Sequence, residues 1–219
     1  MENTYPPKHK SSFFVSLEGI EGSGKSTQIQ ALKDFFEAQG LRTINVREPG
    51  GTKLGEKIRE TILSQEEKIS EISELFLFAA SRAHLLNTII LPELAKPNTV
   101  IIADRYIDSS IAYQGIARGL GVETVIKLHE FAPLNFLPDL TFYLEIDLAT
   151  SFARQASRGN TQDYFEKENT EFYQKLISGY EKARELFPQR ITTIDASQTP
   201  EAITKEIHRI AAQKLGLKF

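Results

Sequence analysis

Short apolar runs recur along the chain between longer stretches in which apolar positions return every three or four residues. The short runs read as strands at 13–17, 43–47, 99–103, 140–146 and 191–194, and their near-continuous hydrophobicity suits strands covered on both faces. The longer stretches predict helices over 25–38, 54–63, 72–94, 122–131, 148–157, 170–187 and 199–215. Gly40 follows the first as a C-cap, and Thr199-Pro200-Glu201 opens the last with a cap, a residue that needs no amide partner and a charge suited to the positive helix end. Strands alternating with helices give the fold class α/β, a doubly wound five-stranded parallel sheet flanked by helices. No internal repeat, low-complexity tract or Gly/Ser linker divides the chain, so residues 12–219 read as one domain and the polar residues 1–11 as a flexible tail.

Composition narrows the partners. The net charge of −3 and pI near 5.9 create no general positive field, so neither nucleic acid nor an anionic membrane is an expected partner, and any phosphate must be gripped locally. No secretory signal pattern and no run approaching about 20 apolar residues is apparent, which leads to the expectation of a soluble, cytoplasmic protein. The absence of cysteine removes disulfides, thiolate zinc sites and cysteine nucleophiles. His9, His84, His129 and His208 have no metal-ligand spacing and are expected to do no more than pack or face solvent.

The chemistry is carried by residues 19–26, Gly-Ile-Glu-Gly-Ser-Gly-Lys-Ser, which follow the first strand and open a helix. This matches G-x-x-x-x-G-K-[ST], a loop whose glycines turn successive amides toward a polyphosphate at a helix N-terminus. The expected ATP-binding set is Gly19, Ile20, Glu21, Gly22, Ser23, Gly24, Lys25, Ser26 and Thr27, with Lys25 on the β/γ-phosphates and the Ser26 hydroxyl on Mg²⁺. Asp104, at the end of the apolar run 100–103, is the expected second metal residue, acting through water. A phosphate-binding loop alone leaves switches, motors, transporters and kinases open; no Asn-Lys-x-Asp guanine motif is present.

Three further clusters bear on the acceptor: Arg47-Glu48-Pro49-Gly50-Gly51-Thr52, Phe78 with Arg82, and the run from Asp104-Arg105-Tyr106 to Tyr113-Gln114. Together with the phosphate loop, and in this order, they resemble the thymidylate kinase family, over about residues 13–197. The resemblance implies phosphoryl transfer from ATP to dTMP, with Mg²⁺, in a homodimer; another nucleoside monophosphate kinase or a deoxynucleoside kinase of the same fold is the alternative. It also implies that Arg47 and Arg105 hold the acceptor phosphate, for which bidentate guanidinium geometry is suited. Pro49, Phe78, Arg82, Ser110, Tyr113 and Gln114 would then line the base and sugar, with Phe78 stacking on thymine and Arg82 bonding its carbonyl. A polar segment over about 154–166 resembles the family's lid, with Arg154 near ATP and Arg158 as catalytic arginine; Lys25, Arg105 and Glu21 complete the implied catalytic set. Where the family pattern after the lid commonly reads D-R-x-E, this chain reads Asp163-Tyr164-Phe165-Glu166, one arginine short.

Overall fold

A computed structural model describes residues 7–64, 69–158 and 169–217, except for the side chain of Arg158. Five strands, β1 (Phe13–Glu18), β2 (Arg42–Arg47), β3 (Thr99–Asp104), β4 (Leu140–Glu145) and β5 (Ile191–Asp195), form one parallel sheet in the order β2-β3-β1-β4-β5. The register matters for function: Asp104 is opposite Leu17 on one side and Arg47 on the other, so the loops that follow β1, β2 and β3 leave the sheet at the same edge. Ligands of open α/β sheets bind at this carboxyl edge.

Alternate side chains of the central strands feed two cores. Phe14, Ile101 and Ala103 pack on one face with Leu85, Leu86 and Ile90, while Val15, Leu17, Val100 and Ile102 pack on the other with Leu32 and Phe36. This is why the strands read as unbroken apolar runs.

The described helices are α1 (Lys25–Ala38), α2 (Lys53–Leu63), α3 (Glu71–Leu94), α4 (residues 107–117), α5 (Val122–Leu128), α6 (Leu148–Arg158), α7 (Thr170–Leu186) and α8 (Pro200–Leu215). Side-chain oxygens of Thr52, Ser70, Asn169 and Thr199 cap α2, α3, α7 and α8. The helix α4 has no counterpart among the sequence expectations. It widens into a π-helical stretch over Ile111–Ala117, closed by Arg118 N–H on the Tyr113 carbonyl at 2.8 Å, and such stretches recur at functional sites. Its apolar residues do not repeat at one helical period, so periodicity gave no signal.

Two further expectations are corrected. Residues 8–12 are anchored rather than loose: His9 N–H bonds the Leu94 carbonyl at 2.8 Å, Ser12 Oγ bonds the Lys96 carbonyl at 2.6 Å, and Lys8 pairs with Asp139. The 24-residue α3, with mean hydropathy 1.4 over its most apolar 18-residue window, is long and apolar enough to cross a membrane by those two measures, contrary to the sequence reading. Its apolarity has a local cause, because 44% of that window is buried inside the fold, and the helix buries Glu74 and Arg82 among its apolar residues.

Candidate active site

Two clefts meet at the carboxyl edge. One, of about 660 Å³, is lined by Glu21, Gly22, Gly24, Lys25, Ser26, Arg47, Glu48, Arg59, Asp104 and Arg105. The other, of about 550 Å³, is lined by Glu21, Glu48, Pro49, Arg59, Leu63, Phe78, Arg82, Arg105, Tyr106, Ser109, Ser110, Tyr113 and Gln114. Glu21, Glu48, Arg59 and Arg105 belong to both walls.

The first cleft is built by the loop between β1 and α1. Gly19, Gly22 and Gly24 all have positive φ, and a Cβ on Gly22 would stand 2.8 Å from the Ser151 carbonyl oxygen, so the loop can lie against α6 only with glycine there. Ser151 Oγ donates to the Glu21 carbonyl at 2.7 Å and Arg154 Nη1 to the Gly22 carbonyl at 3.3 Å, tying the start of the expected lid to the loop. Lys25 Nζ donates to the carbonyls of Gly19 at 2.9 Å and Ile20 at 3.2 Å. Burial, then the charge of Arg105, lowers the Lys25 ammonium to about 8, with Glu21 and Asp104 opposing the shift. Ile20 is in the core, so its side chain cannot face a nucleotide, and Gly19, Ser23 and Thr27 do not line the cleft.

Asp104 Oδ1 is buried without a hydrogen-bond partner beside the same cleft as Ser26. An orphaned carboxylate oxygen near a hydroxyl and a polyphosphate-binding loop fits Mg²⁺, which takes few protein ligands and fills its shell with water and phosphate oxygens. No group of three or more acidic, histidine or cysteine ligands occurs among the described residues, in keeping with such a partial protein shell.

Arg105 occupies the junction. Its backbone is left-handed, with φ 69°, a conformation that costs a non-glycine residue about 1–2 kcal/mol. Glu18 holds this turn, its Oε1 accepting the Tyr106 N–H at 2.7 Å and its Oε2 the Ser109 hydroxyl at 2.6 Å. Burial, then the neighbouring Asp108, raises the Glu18 carboxyl to about 8. The Arg105 guanidinium donates to Tyr180 Oη at 2.8 Å and Ser109 Oγ at 3.2 Å, pairs with Glu21 and sits 5.1 Å from the centre of the Tyr113 ring. Burial alone would raise the Glu21 carboxyl; Arg105 and Lys25 outweigh it and hold the group below its usual range, so Glu21 is a carboxylate between two cations.

In the second cleft Arg82 is 1% exposed and almost fully engaged. Nε donates to Glu48 Oε2 at 2.6 Å, and Nη1 contacts Ser110 Oγ at 3.1 Å and His129 Nε2 at 2.6 Å. His129 Nδ1 lies 2.7 Å from the Val125 carbonyl and must donate to it, which leaves Nε2 as acceptor. Burial, then Arg82, pushes this histidine down to about 3, so it is neutral at any physiological pH.

The structure therefore gathers Pro49, Phe78, Arg82, Arg105, Ser110, Tyr113 and Gln114 around one cleft. Arg47 differs: it lines the phosphate-loop cleft only, and pairs with Glu56 at 2.7 Å. Ser110 Oγ accepts a hydrogen bond from Arg82 Nη1. Arg59, Glu48, Tyr180, Glu18 and His129 had not been singled out for the site; Arg59 Nη1 donates to the Pro49 carbonyl at 3.3 Å. Only Arg59, four residues before the end of a predicted helix rich in charge, could have been suspected from its type. The side chain of Arg158, and Asp163, Tyr164 and Glu166 of the expected lid, lie outside the described residues.

The chain is similar to known proteins along most of its length. The family model described as thymidylate kinase matches residues 17–207. The chain belongs to the thymidylate kinase family. Thymidylate kinase of Thermosipho africanus is 44% identical over 202 residues, covering 92% of this chain and 98% of the relative. That of Thermoanaerobacter sp. (strain X514) is 41% identical over 194 residues, covering 89% and 94%. The crystal structure of thymidylate kinase from Ehrlichia chaffeensis superposes with a TM-score of 0.73 at 29% identity, over 91% of this chain and 98% of that one. The five-stranded parallel sheet with its phosphate loop is thus the fold of this family.

Proposed function

We propose that this thymidylate kinase family member transfers the γ-phosphoryl group of ATP to dTMP, giving dTDP and ADP. The observation that carries the reading is the shared wall: the phosphate-loop cleft and the aromatic cleft meet at Glu21 and Arg105, so a donor polyphosphate and an acceptor monophosphate entering from opposite sides converge on one guanidinium. An acceptor phosphate oxygen attacks the γ-phosphorus, a new P–O bond forms, the bond to the β-phosphate oxygen breaks, and ADP leaves. The attacking oxygen is already ionised at neutral pH, so the site works by alignment and charge neutralisation rather than by general base.

Lys25 faces the donor phosphates and Arg105 the acceptor, with Arg47 and Arg59 supplying further positive charge from the cleft walls. Ser26 and, through water, Asp104 would hold Mg²⁺, which when bound neutralises charge on the β- and γ-oxygens. Phe78 lies against the base and Tyr113 crowds the sugar at C2′, which favours a deoxynucleotide. Arg158 acts as the arginine that closes over the transferring group; Arg158→Ala is expected to lower kcat far more than it raises the KM for dTMP, and an unchanged kcat would remove that role. The exposed Ile72 and Phe76, one turn apart on α3, support a homodimer through that helix, which sedimentation of the purified protein would test. A cytoplasmic location agrees with the cysteine-free sequence.

A coupled ADP-release assay across nucleotides tests the whole reading. dTMP is expected to be turned over best, dUMP less well, and AMP, CMP and GMP hardly at all; AMP turned over as well as dTMP would sink it. Preference for thymidine over dTMP would instead favour a deoxynucleoside kinase, an outcome opposed by the concentration of arginines at the junction.

A further inference from the structure

Behind the aromatic cleft lies a layer of buried polar side chains that phosphoryl transfer itself does not use. Gln114 lines the cleft, is 1% exposed, and donates through Nε2 to Glu74 Oε1 at 2.7 Å. Glu74 is also 1% exposed and forms an ion pair with Arg118 Nε at 3.4 Å. A carboxylate only accepts hydrogen bonds, so the Gln114 amide meets it through its nitrogen and is left with its carbonyl oxygen to offer the cleft. Arg82, which lines the same cleft, has five N–H donors; Glu48 takes those of Nε and one of Nη2, and Ser110 and His129 take both of Nη1. One donor remains.

We infer that Glu74 is a positioning residue that sets base selectivity: by holding the Gln114 amide nitrogen it makes the cleft present one donor, from Arg82, beside one acceptor, from Gln114. That order matches the edge of a 2,4-dioxopyrimidine, where a carbonyl oxygen adjoins an N–H. It opposes a 4-aminopyrimidine, whose amino group would face Arg82 and whose ring lone pair would face the Gln114 oxygen. Sites built around fixed polar groups reject a mismatched partner strongly because both sides are left unpaired. The inference rests on the dTMP reading and explains how that base would be chosen.

The test is the ratio of kcat/KM for dTMP to that for dCMP in Glu74→Gln, with the ATP KM and the thermal midpoint as controls. Glutamine at 74 can donate as well as accept, so the Gln114 amide can turn over. The ratio is expected to fall about ten-fold, the worth of roughly one hydrogen bond, without vanishing, because Arg82 still opposes the amino group. Glu74→Asp keeps the carboxylate and should hold the ratio nearer that of the parent protein. If the Gln variant does not fold, Glu74→Met removes the acceptor with a side chain of similar length and is read in the same way. A merely structural role would depress both substrates together; an unchanged ratio in a folded variant overturns the inference. Failure of the parent protein to phosphorylate dTMP would sink the kinase reading, whereas normal dTMP turnover with an unchanged ratio sinks only the role of Glu74.

Discussion

The tightest helix contact described lies between α7 and α4, and it makes Gly179→Ala an informative perturbation. A Cβ at Gly179 would stand 2.5 Å from Ala112 Cα, 3.0 Å from its Cβ and 3.1 Å from its carbonyl oxygen. Two of those atoms are backbone, so no side chain can swing away and the helices must separate by about 1 Å to restore ordinary contact. Overpacking of this kind costs about 1–3 kcal/mol, while alanine in a helix interior gains up to about 1 kcal/mol over glycine. The steric loss wins, and a net destabilisation of about 1–2 kcal/mol would lower Tm by roughly 2–8 °C for a chain of this size. The functional effect is directional. The α4 segment carries Ser109, Ser110, Tyr113 and Gln114, and α7 carries Tyr180, which bonds Arg105, whereas Lys25 belongs to the separate β1–α1 unit. The KM for dTMP should therefore rise while the KM for ATP stays near that of the parent. Thermal unfolding and steady-state kinetics check both halves; a variant at least as stable as the parent, with unchanged dTMP KM, would refute the claim that this contact positions the acceptor cleft.

Two buried groups yield pH predictions. Lys25 is held down to about 8 in the free protein, and a bound polyphosphate favours its charged form, so ATP binding takes up a proton above that pH. Affinity should be full below about pH 8 and decline above it; titration calorimetry at pH 8.5 in buffers of different ionisation enthalpy would report the uptake, and observed heats that do not vary with the buffer would contradict it. Glu18 is raised from an ordinary 4.5 to about 8, so between those values the folded chain holds a proton that the unfolded chain has released. Stability then falls as pH rises through that window. Glu18→Gln should lose this dependence, and equal declines in urea midpoint between pH 5 and pH 8 for both proteins would exclude the assignment.

What could be read from the sequence was whatever is written locally. The phosphate loop is contiguous, its glycines announce the required backbone, and β1 and α1 flank it, so one wall of the first cleft was legible from a single segment. The strands declared themselves because each is buried on both faces. The second cleft became legible only through resemblance, since its residues come from the phosphate loop, the turns after β2 and β3, and α2, α3 and α4. Its supporting layer was not legible at all. His129 lies 47 residues from Arg82, and Tyr180 lies 75 from Arg105, with no spacing to suggest either pairing. Glu18 fell just beyond the predicted strand 13–17, and its work of holding the Arg105 turn depends on a register between β1 and β3 that no single segment encodes. The apolar extent of α3 was underestimated, because its apolar residues are interrupted along the sequence although the helix as a whole matches a membrane span in length and mean hydropathy.

Arg105 leans on Glu21, so the junction of the two clefts carries its own resident anion. An arriving phosphate does not meet a bare cation in a dry crevice; it competes for one that is already matched. Binding is then an anion exchange, with weaker grip on each nucleotide than the number of cationic groups suggests and readier departure of the product once its extra charge has been made.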